Sequence, residues 1–231
     1  ILGLGFLLLT HKEVRPFRPA APPVRTLIQE GLPYAYAVLA GEVLGRLDIL
    51  LVLWLLSFAT QGCYAVAVPA ASLLLVVPNG LALFAFNAGA RDHQAQSLRK
   101  LAIAGAGVFF LQLLSAGVLA VLLGPLIHWV FGEDFNAAIP LALALLPKFA
   151  IDGFEIIAEG YLRGCGKPVV GIWARLLGAA VVVGFVFLFF ERWQELSIPL
   201  AASAGQAASA LVIVWAVVAH AKDKPAISEV T

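Results

Sequence analysis

LAIAGAGVFFLQLLSAGVLAVLL, residues Leu101–Leu123, runs for 23 residues without one charged side chain. An α-helix needs roughly 20 apolar residues to cross the hydrocarbon core of a bilayer. Within that core every backbone N–H and C=O must be satisfied inside the protein, which favours a helix over any open strand. The stretch therefore reads as a transmembrane helix, and the rest of the chain repeats the pattern. Full spans are expected at about Leu32–Phe58, Cys63–Asn87, Leu101–Leu123, Ala137–Tyr161, Val169–Phe190 and Ile198–Ala219.

Composition agrees. Of 231 residues 61% are apolar and 13% charged, with a mean hydropathy of +0.95. Soluble domains run near 45–50% apolar and about 25% charged. So much apolar surface excludes both a soluble globule of this size and a disordered chain. A net charge of +1 gives no global field that would attract nucleic acid. The expected fold class is all-α: a polytopic membrane helical bundle, one six-helix lobe plus a truncated helix at the N-terminus.

The truncated helix is ILGLGFLLLT, residues 1–10, half a span opening at Ile1 in a chain without methionine, so a piece of a longer protein is expected. Residues 11–31 carry Pro16, Pro19, Pro22 and Pro23 among basic residues and read as a cytoplasmic linker. Residues 32–220 form the six-span lobe and 221–231 a cytoplasmic tail. The orientation follows from Lys and Arg. Eleven lie in the Pro-rich linker, in RDHQAQSLRK, at Arg163 and Lys167, and in the tail; the loops facing the other way hold only Arg192. That bias places the basic loops and the C-terminus in the cytoplasm, as in a bacterial inner-membrane protein. Cys63 and Cys165 then face opposite sides and cannot pair. The longest loop on the outer side is LGPLIHWVFGEDFN, with Trp129 as an interfacial anchor.

Local features shape the helices. Pro69 and Pro78 fall in the second span, Pro140 and Pro147 in the fourth; each removes a backbone bond, and such kinks either line cavities or are packed by neighbours. Gly41-x-x-x-Gly45 and the stripe Ala201, Gly205, Ser209 are small-residue faces of the kind that let helices approach closely.

Ionisable groups inside spans are costly, about 2.5–3.5 kcal/mol each at mid-bilayer on insertion scales, so they face an interior or a wet cavity. The first full span holds Glu42, Arg46 and Asp48. Glu42 and Arg46 are four apart and can pair on one face. Asp48 lies about 200° round from Arg46 and must seek a partner on another helix. The fourth span holds Lys148, Asp152, Glu155 and Glu159, spaced four, three and four on one face. Glu159 can pair with Arg163, and Arg175 is expected to snorkel to the inner surface. Ion pairs that merely fix helix register would explain Glu159, Arg163 and Arg175. Four charges at mid-depth on two helices, Arg46, Asp48, Lys148 and Asp152, exceed what register demands and imply a hydrated transport cavity.

Enzymatic signatures are missing from the sequence. RGCGKP has proline where a phosphate-binding loop needs Ser or Thr, and no HExxH, GxSxG or metal-spaced His/Cys group is present. No cofactor and no enzymatic activity are expected. An outer loop of about fourteen mostly apolar residues is also too short for a membrane-embedded glycosyltransferase, ligase or polymerase to hold its acceptor.

GRLDILLVLWLL at Gly45–Leu56, GCYAVAV at Gly62–Val68 and LLLVVPNGLALFAF at Leu73–Phe86 resemble the second half of bacterial polysaccharide flippases. These belong to the multidrug/oligosaccharidyl-lipid/polysaccharide exporter superfamily. Arg46 and Asp48 match its Arg-x-Asp, Gly62 and Tyr64 its Gly-x-Tyr, and Pro78 its late proline. FGEDFNAA at Phe131–Ala138 resembles its Phe-Gly-x-x-Phe loop, and Gly164-x-Gly166-Lys167 its basic turn. Two places depart: Phe86-Asn87-Ala88-Gly89 stands for Phe-Pro-x-Leu, and the last span opens on Ile198-Pro199 rather than Gly-Ala repeats.

The resemblance implies a two-lobed transporter whose missing N-terminal lobe belongs to the same protein. Its partners would be membrane lipids and a cargo, an undecaprenyl-pyrophosphate-linked oligosaccharide carried to the outer leaflet for O-antigen-type polysaccharide. Arg46 and Lys148 would bind the pyrophosphate; Glu42, Asp48, Asp152 and Glu155 would line the cavity or couple to an ion. Counted together with Arg175, these groups carry one negative charge in excess. That excess fits an alternative in the same superfamily, an ion-coupled multidrug or organic-cation antiporter. A non-transporting structural subunit is the third reading.

Overall fold

The computed structural model describes residues 24–91 and 98–223. By its contacts the chain divides into residues 1–33 and residues 34–231. Within the first unit the described residues are 24–33, the opening turns of α1 (Val24–Leu44). That helix starts inside the stretch whose prolines and basic residues suggest a linker. The half-span over residues 1–10, the four linker prolines and the tail beyond Asp223 lie outside the described residues.

The second unit continues with α2 (Leu47–Leu55), α3 (Phe58–Ser72) and α4 (Val76–Arg91), the last two joined by a 3-10 turn at Leu73–Leu75. Then come α5 (Leu98–Phe131), α6 (Ala138–Gly164), α7 (Val169–Trp193) and α8 (Ser197–Asp223). The described residues contain no strand. Three helical stretches, Phe58–Ala90, Ile103–Phe131 and Val169–His220, are long and apolar enough to cross a membrane. Phe110, Val121, Phe187, Leu211 and Trp215 project outward from them. An apolar outer surface of this kind suits lipid rather than water, and marks a membrane protein.

Two breaks interrupt the expected spans. The expected first span is interrupted at Gly45–Arg46, where the Arg46 N–H bonds the Val43 carbonyl three residues back at 3.3 Å. Ile49 N–H bonds the Arg46 carbonyl at 3.1 Å, and the Gly45 carbonyl accepts from Lys148 Nζ at 3.4 Å. The second break is at Leu73–Leu75. Pro78 has no N–H for the Leu74 carbonyl four residues earlier, and Gln112 Nε2 on α5 donates to that oxygen at 3.5 Å instead. Gln112 reaches it across Gly153, where a Cβ would stand 1.6 Å from its Nε2.

Most of LGPLIHWVFGEDFN is helix rather than loop. α5 runs on to Phe131, and the turn is reduced to Gly132, at a φ of 87° that favours glycine, and a 3-10 turn at Glu133–Phe135. Pro125 lies inside α5, since a membrane helix with 3-10 or packing relief tolerates it.

α6 is the hub, packed against α3, α4, α5 and α8. Its crossing with α4 is backbone on backbone: a Cβ on Gly164 would stand 2.1 Å from the Phe86 oxygen, and one on Gly89 2.3 Å from the Tyr161 oxygen. α7 and α8 form a hairpin turned at Gln194 and pressed together at Gly178 and Gly205, where either Cβ would meet the other glycine's carbonyl. The small-residue stripe on the last span thus packs as its composition suggests. Gly41 does not: nothing stands within 4 Å of its missing Cβ, and Gly45 N–H closes the end of α1 on the Gly41 carbonyl.

Candidate functional site

The polar face of α6 meets charges from α2 and α7 and uncharged polar side chains from α3 and α8. At one end Asp48, delivered by the first turn of α2, is buried and accepts through Oδ2 from Lys148 Nζ at 2.7 Å and from the Tyr64 hydroxyl of α3 at 2.7 Å. The inter-helix partner that its angular position demands is therefore Lys148. One turn further along α6, Arg175 of α7 lies among three carboxylates: Asp152 at 3.2 Å, Glu155 at 3.3 Å and Glu159 at 3.7 Å. α8 completes the cluster. Gln206 donates to Asp152 at 2.9 Å and to Glu155 at 2.7 Å, and Ser209 donates to Glu155 at 2.7 Å. Arg163 pairs with Glu159 from the next turn, as their spacing predicts.

Arg175 corrects the expectation that it snorkels. Its side chain is only 10% exposed and turned inward, because three carboxylates and the Gln206 amide offer it more than the interface does. Gln206 and Ser209 do not stand out in the sequence as charge partners; an uncharged amide in an apolar span is the signal that points to such a role. Tyr64 stands out there only through the Gly-x-Tyr resemblance.

Beside this network lies a cavity of about 860 Å³. Glu42 and Arg46 line it from α1 and the break after it; Asp48, Lys148, Asp152, Glu159, Arg163 and Arg175 add further charges to its wall, and Val76, Leu83, Phe86 and Phe149 apolar surface. Glu42 and Arg46 pair at 3.0 Å with both side chains about two-thirds exposed, whereas Lys148 is 9% exposed and committed to Asp48. The two cations expected to bind phosphate thus differ in placement: Arg46 faces the open cavity, while Lys148 is built into its wall. Glu155 stands behind that wall, fully buried. The structure brings Asp48 to Lys148 in one buried cluster and Asp152 to Glu155 in a second around Arg175, while the Glu42–Arg46 pair lines the cavity.

Counting the buried network over α2, α6 and α7, four carboxylates (Asp48, Asp152, Glu155, Glu159) face three cations (Lys148, Arg163, Arg175). Removing one cation should hurt far more than removing one carboxylate's charge. Arg175→Gln is expected to cost about 3–5 kcal/mol, the scale for stranding buried charges. Glu155→Gln keeps an oxygen for Gln206 and offers an N–H that Ser209 can accept, so its cost should stay near 1 kcal/mol. Thermal melts of the two variants in the same detergent measure the contrast; equal losses would show that the cluster is not charge-balanced by Arg175.

Groups of three or more metal-ligating side chains do not occur among the described residues. Comparison with protein-family models, with curated proteins and with solved structures gave no match to this chain.

Proposed function

We propose that the chain is one lobe of a bacterial inner-membrane exporter. Its cargo is a polyprenyl-pyrophosphate-linked oligosaccharide, moved to the outer leaflet for cell-surface polysaccharide. The observation that carries this reading is a charge-lined cavity of about 860 Å³ inside an otherwise lipid-compatible helical bundle. Sugars and phosphates need a wet chamber to cross a bilayer, while a prenyl tail remains in the surrounding lipid. In this reading α1 with α2 and α3 with α4 each make one span and α5 to α8 one apiece, an even number that would leave both ends of a lobe on one side. The resemblance to polysaccharide flippases in the Arg46–Asp48, Gly62–Tyr64 and Pro78 motifs supports the same assignment. In this scheme Arg46 meets the pyrophosphate, since its guanidinium is exposed to the cavity and offers bidentate geometry. Lys148 holds α2 in place through Asp48.

A second reading, an ion-coupled exporter of organic cations, is favoured by one observation: carboxylates outnumber cations in the buried network. Complementation separates the two. In cells deleted for the gene and carrying the full-length gene product, Arg46→Ala should reduce surface polysaccharide at least about tenfold, the factor for a lost charged contact of about 1.5–3 kcal/mol, at unchanged membrane levels. If Arg46→Ala leaves surface polysaccharide intact while Asp152→Asn abolishes resistance to a cationic drug, the antiporter reading replaces the flippase.

A further inference from the structure

Between the Asp48–Lys148 pair and the Arg175 cluster lies a second, much smaller chamber of about 30 Å³. Gly45, Asp48, Lys148, Arg175, Gln206 and Ser209 contribute its polar lining; Ala202, Val182, Gly178 and Gly205 line it as well. A water molecule needs about 10–15 Å³ of such space and two to four polar partners. Both conditions are met here, and two of the partners are otherwise unused. Asp48 Oδ2 takes both the Lys148 and the Tyr64 hydrogen bonds, leaving Oδ1 buried without a donor. Arg175 Nε–H is likewise buried without an acceptor, since Glu155 Oε1 at 3.3 Å is close enough for charge attraction but not aligned as a hydrogen bond.

One orphan is an acceptor and the other a donor, both belong to residues that line the same chamber, and each carries a desolvation penalty while it stays unpaired. We propose that the chamber holds one water molecule that accepts a hydrogen bond from Arg175 Nε–H and donates one to Asp48 Oδ1. The water joins the two ionic clusters into a single network running from α3 and α2 through α6 to α7 and α8. It fastens α2, the short helix that restarts after the Gly45–Arg46 break, to the α7–α8 hairpin as well as to α6. A monovalent cation in the same space would meet Lys148 and Arg175, two positive groups, against the single carboxylate of Asp48, and that balance argues for neutral water.

The direct test is a density map of the full-length protein in lipid nanodiscs, at a resolution that shows ordered waters. A single peak within hydrogen-bond distance of Asp48 Oδ1 and Arg175 Nε is expected. No peak there, in a map that shows waters elsewhere, overturns the proposal. Replacing choline by sodium or potassium in the buffer should leave the melting temperature unchanged; a rise would assign the peak to a cation and overturn it equally. A cycle tests the energetic role. Ala202→Val, which fills the chamber, should lower the melting temperature by about 2–4 °C or more in the wild type and by less than half as much in Asp48→Leu/Lys148→Met, where the water has lost its acceptor. An equal drop in both backgrounds would mean overpacking alone and no water-mediated link.

Discussion

Asp48→Ala is expected to abolish most of the folded protein. The substitution leaves Lys148 with its ammonium buried and the Tyr64 hydroxyl without its acceptor, since both bonds go to the same carboxylate oxygen at 2.7 Å. Breaking one side of a buried ion pair costs about 3–5 kcal/mol, a large share of the roughly 5–15 kcal/mol that holds a domain together. The Gly45 carbonyl, at 3.4 Å from Lys148 Nζ, would remain as a neutral acceptor for that ammonium. Removing both charges together should recover much of the loss: Asp48→Leu/Lys148→Met replaces the pair with apolar groups of similar volume, and what stays lost is the hydrogen bond of the buried Tyr64 hydroxyl, about 1–3 kcal/mol. Fluorescence-detected gel filtration of detergent extracts reads this directly. A monodisperse, wild-type-like peak for Asp48→Ala would mean that the pair is not buried in the folded protein. Tyr64→Phe, which removes one hydrogen bond and no charge, should cost about 1 kcal/mol, read as a modest fall in the melting temperature with the gel-filtration peak retained.

The second large effect is steric. Gly164→Leu should prevent α4 and α6 from crossing at all. Even a Cβ on Gly164 would lie 2.1 Å from the Phe86 carbonyl oxygen and 2.9 Å from the Ala90 nitrogen, and Gly89 and Gly160 make the same kind of contact nearby. The obstacle is backbone, so no rotamer change relieves it. Overpacking a core usually costs about 1–3 kcal/mol, and here the alternative is to separate the helices along their contact. Loss of the main gel-filtration peak is the expected outcome. Gly41→Leu is the matched control, because nothing lies within 4 Å of the Gly41 Cβ position. It should leave the peak unchanged; if both variants behave alike, the α4–α6 crossing is not where the backbones touch.

These two glycine pairs show how far the sequence can be read. Gly41-x-x-x-Gly45 and Gly160-x-x-x-Gly164 carry the same motif, and nothing in the spacing ranks one above the other. In the structure Gly41 and Gly45 end a helix, whereas Gly160 and Gly164 bring α6 against the backbone of α4. Spacing states that two small residues share a face; it does not say whether another helix passes over that face.

What the sequence by itself determined follows from local sums and local periods. Transfer into lipid is nearly additive over about 20 residues, so the apolar runs disclose membrane helices without knowledge of their neighbours. A helical period places Lys148, Asp152, Glu155 and Glu159 on one face, and a spacing of four pairs Glu42 with Arg46 and Glu159 with Arg163. Only the tertiary structure decided which charge meets which across helices. The break at Gly45–Arg46 gives Lys148 a carbonyl as well as Asp48. Arg175 turns inward, and Gln206 and Ser209 stand against Glu155. Those choices depend on helix crossing points, and a crossing is set by backbone contacts such as Gly178 on Gly205. The energy of such a contact exists only once residues far apart in the chain have met.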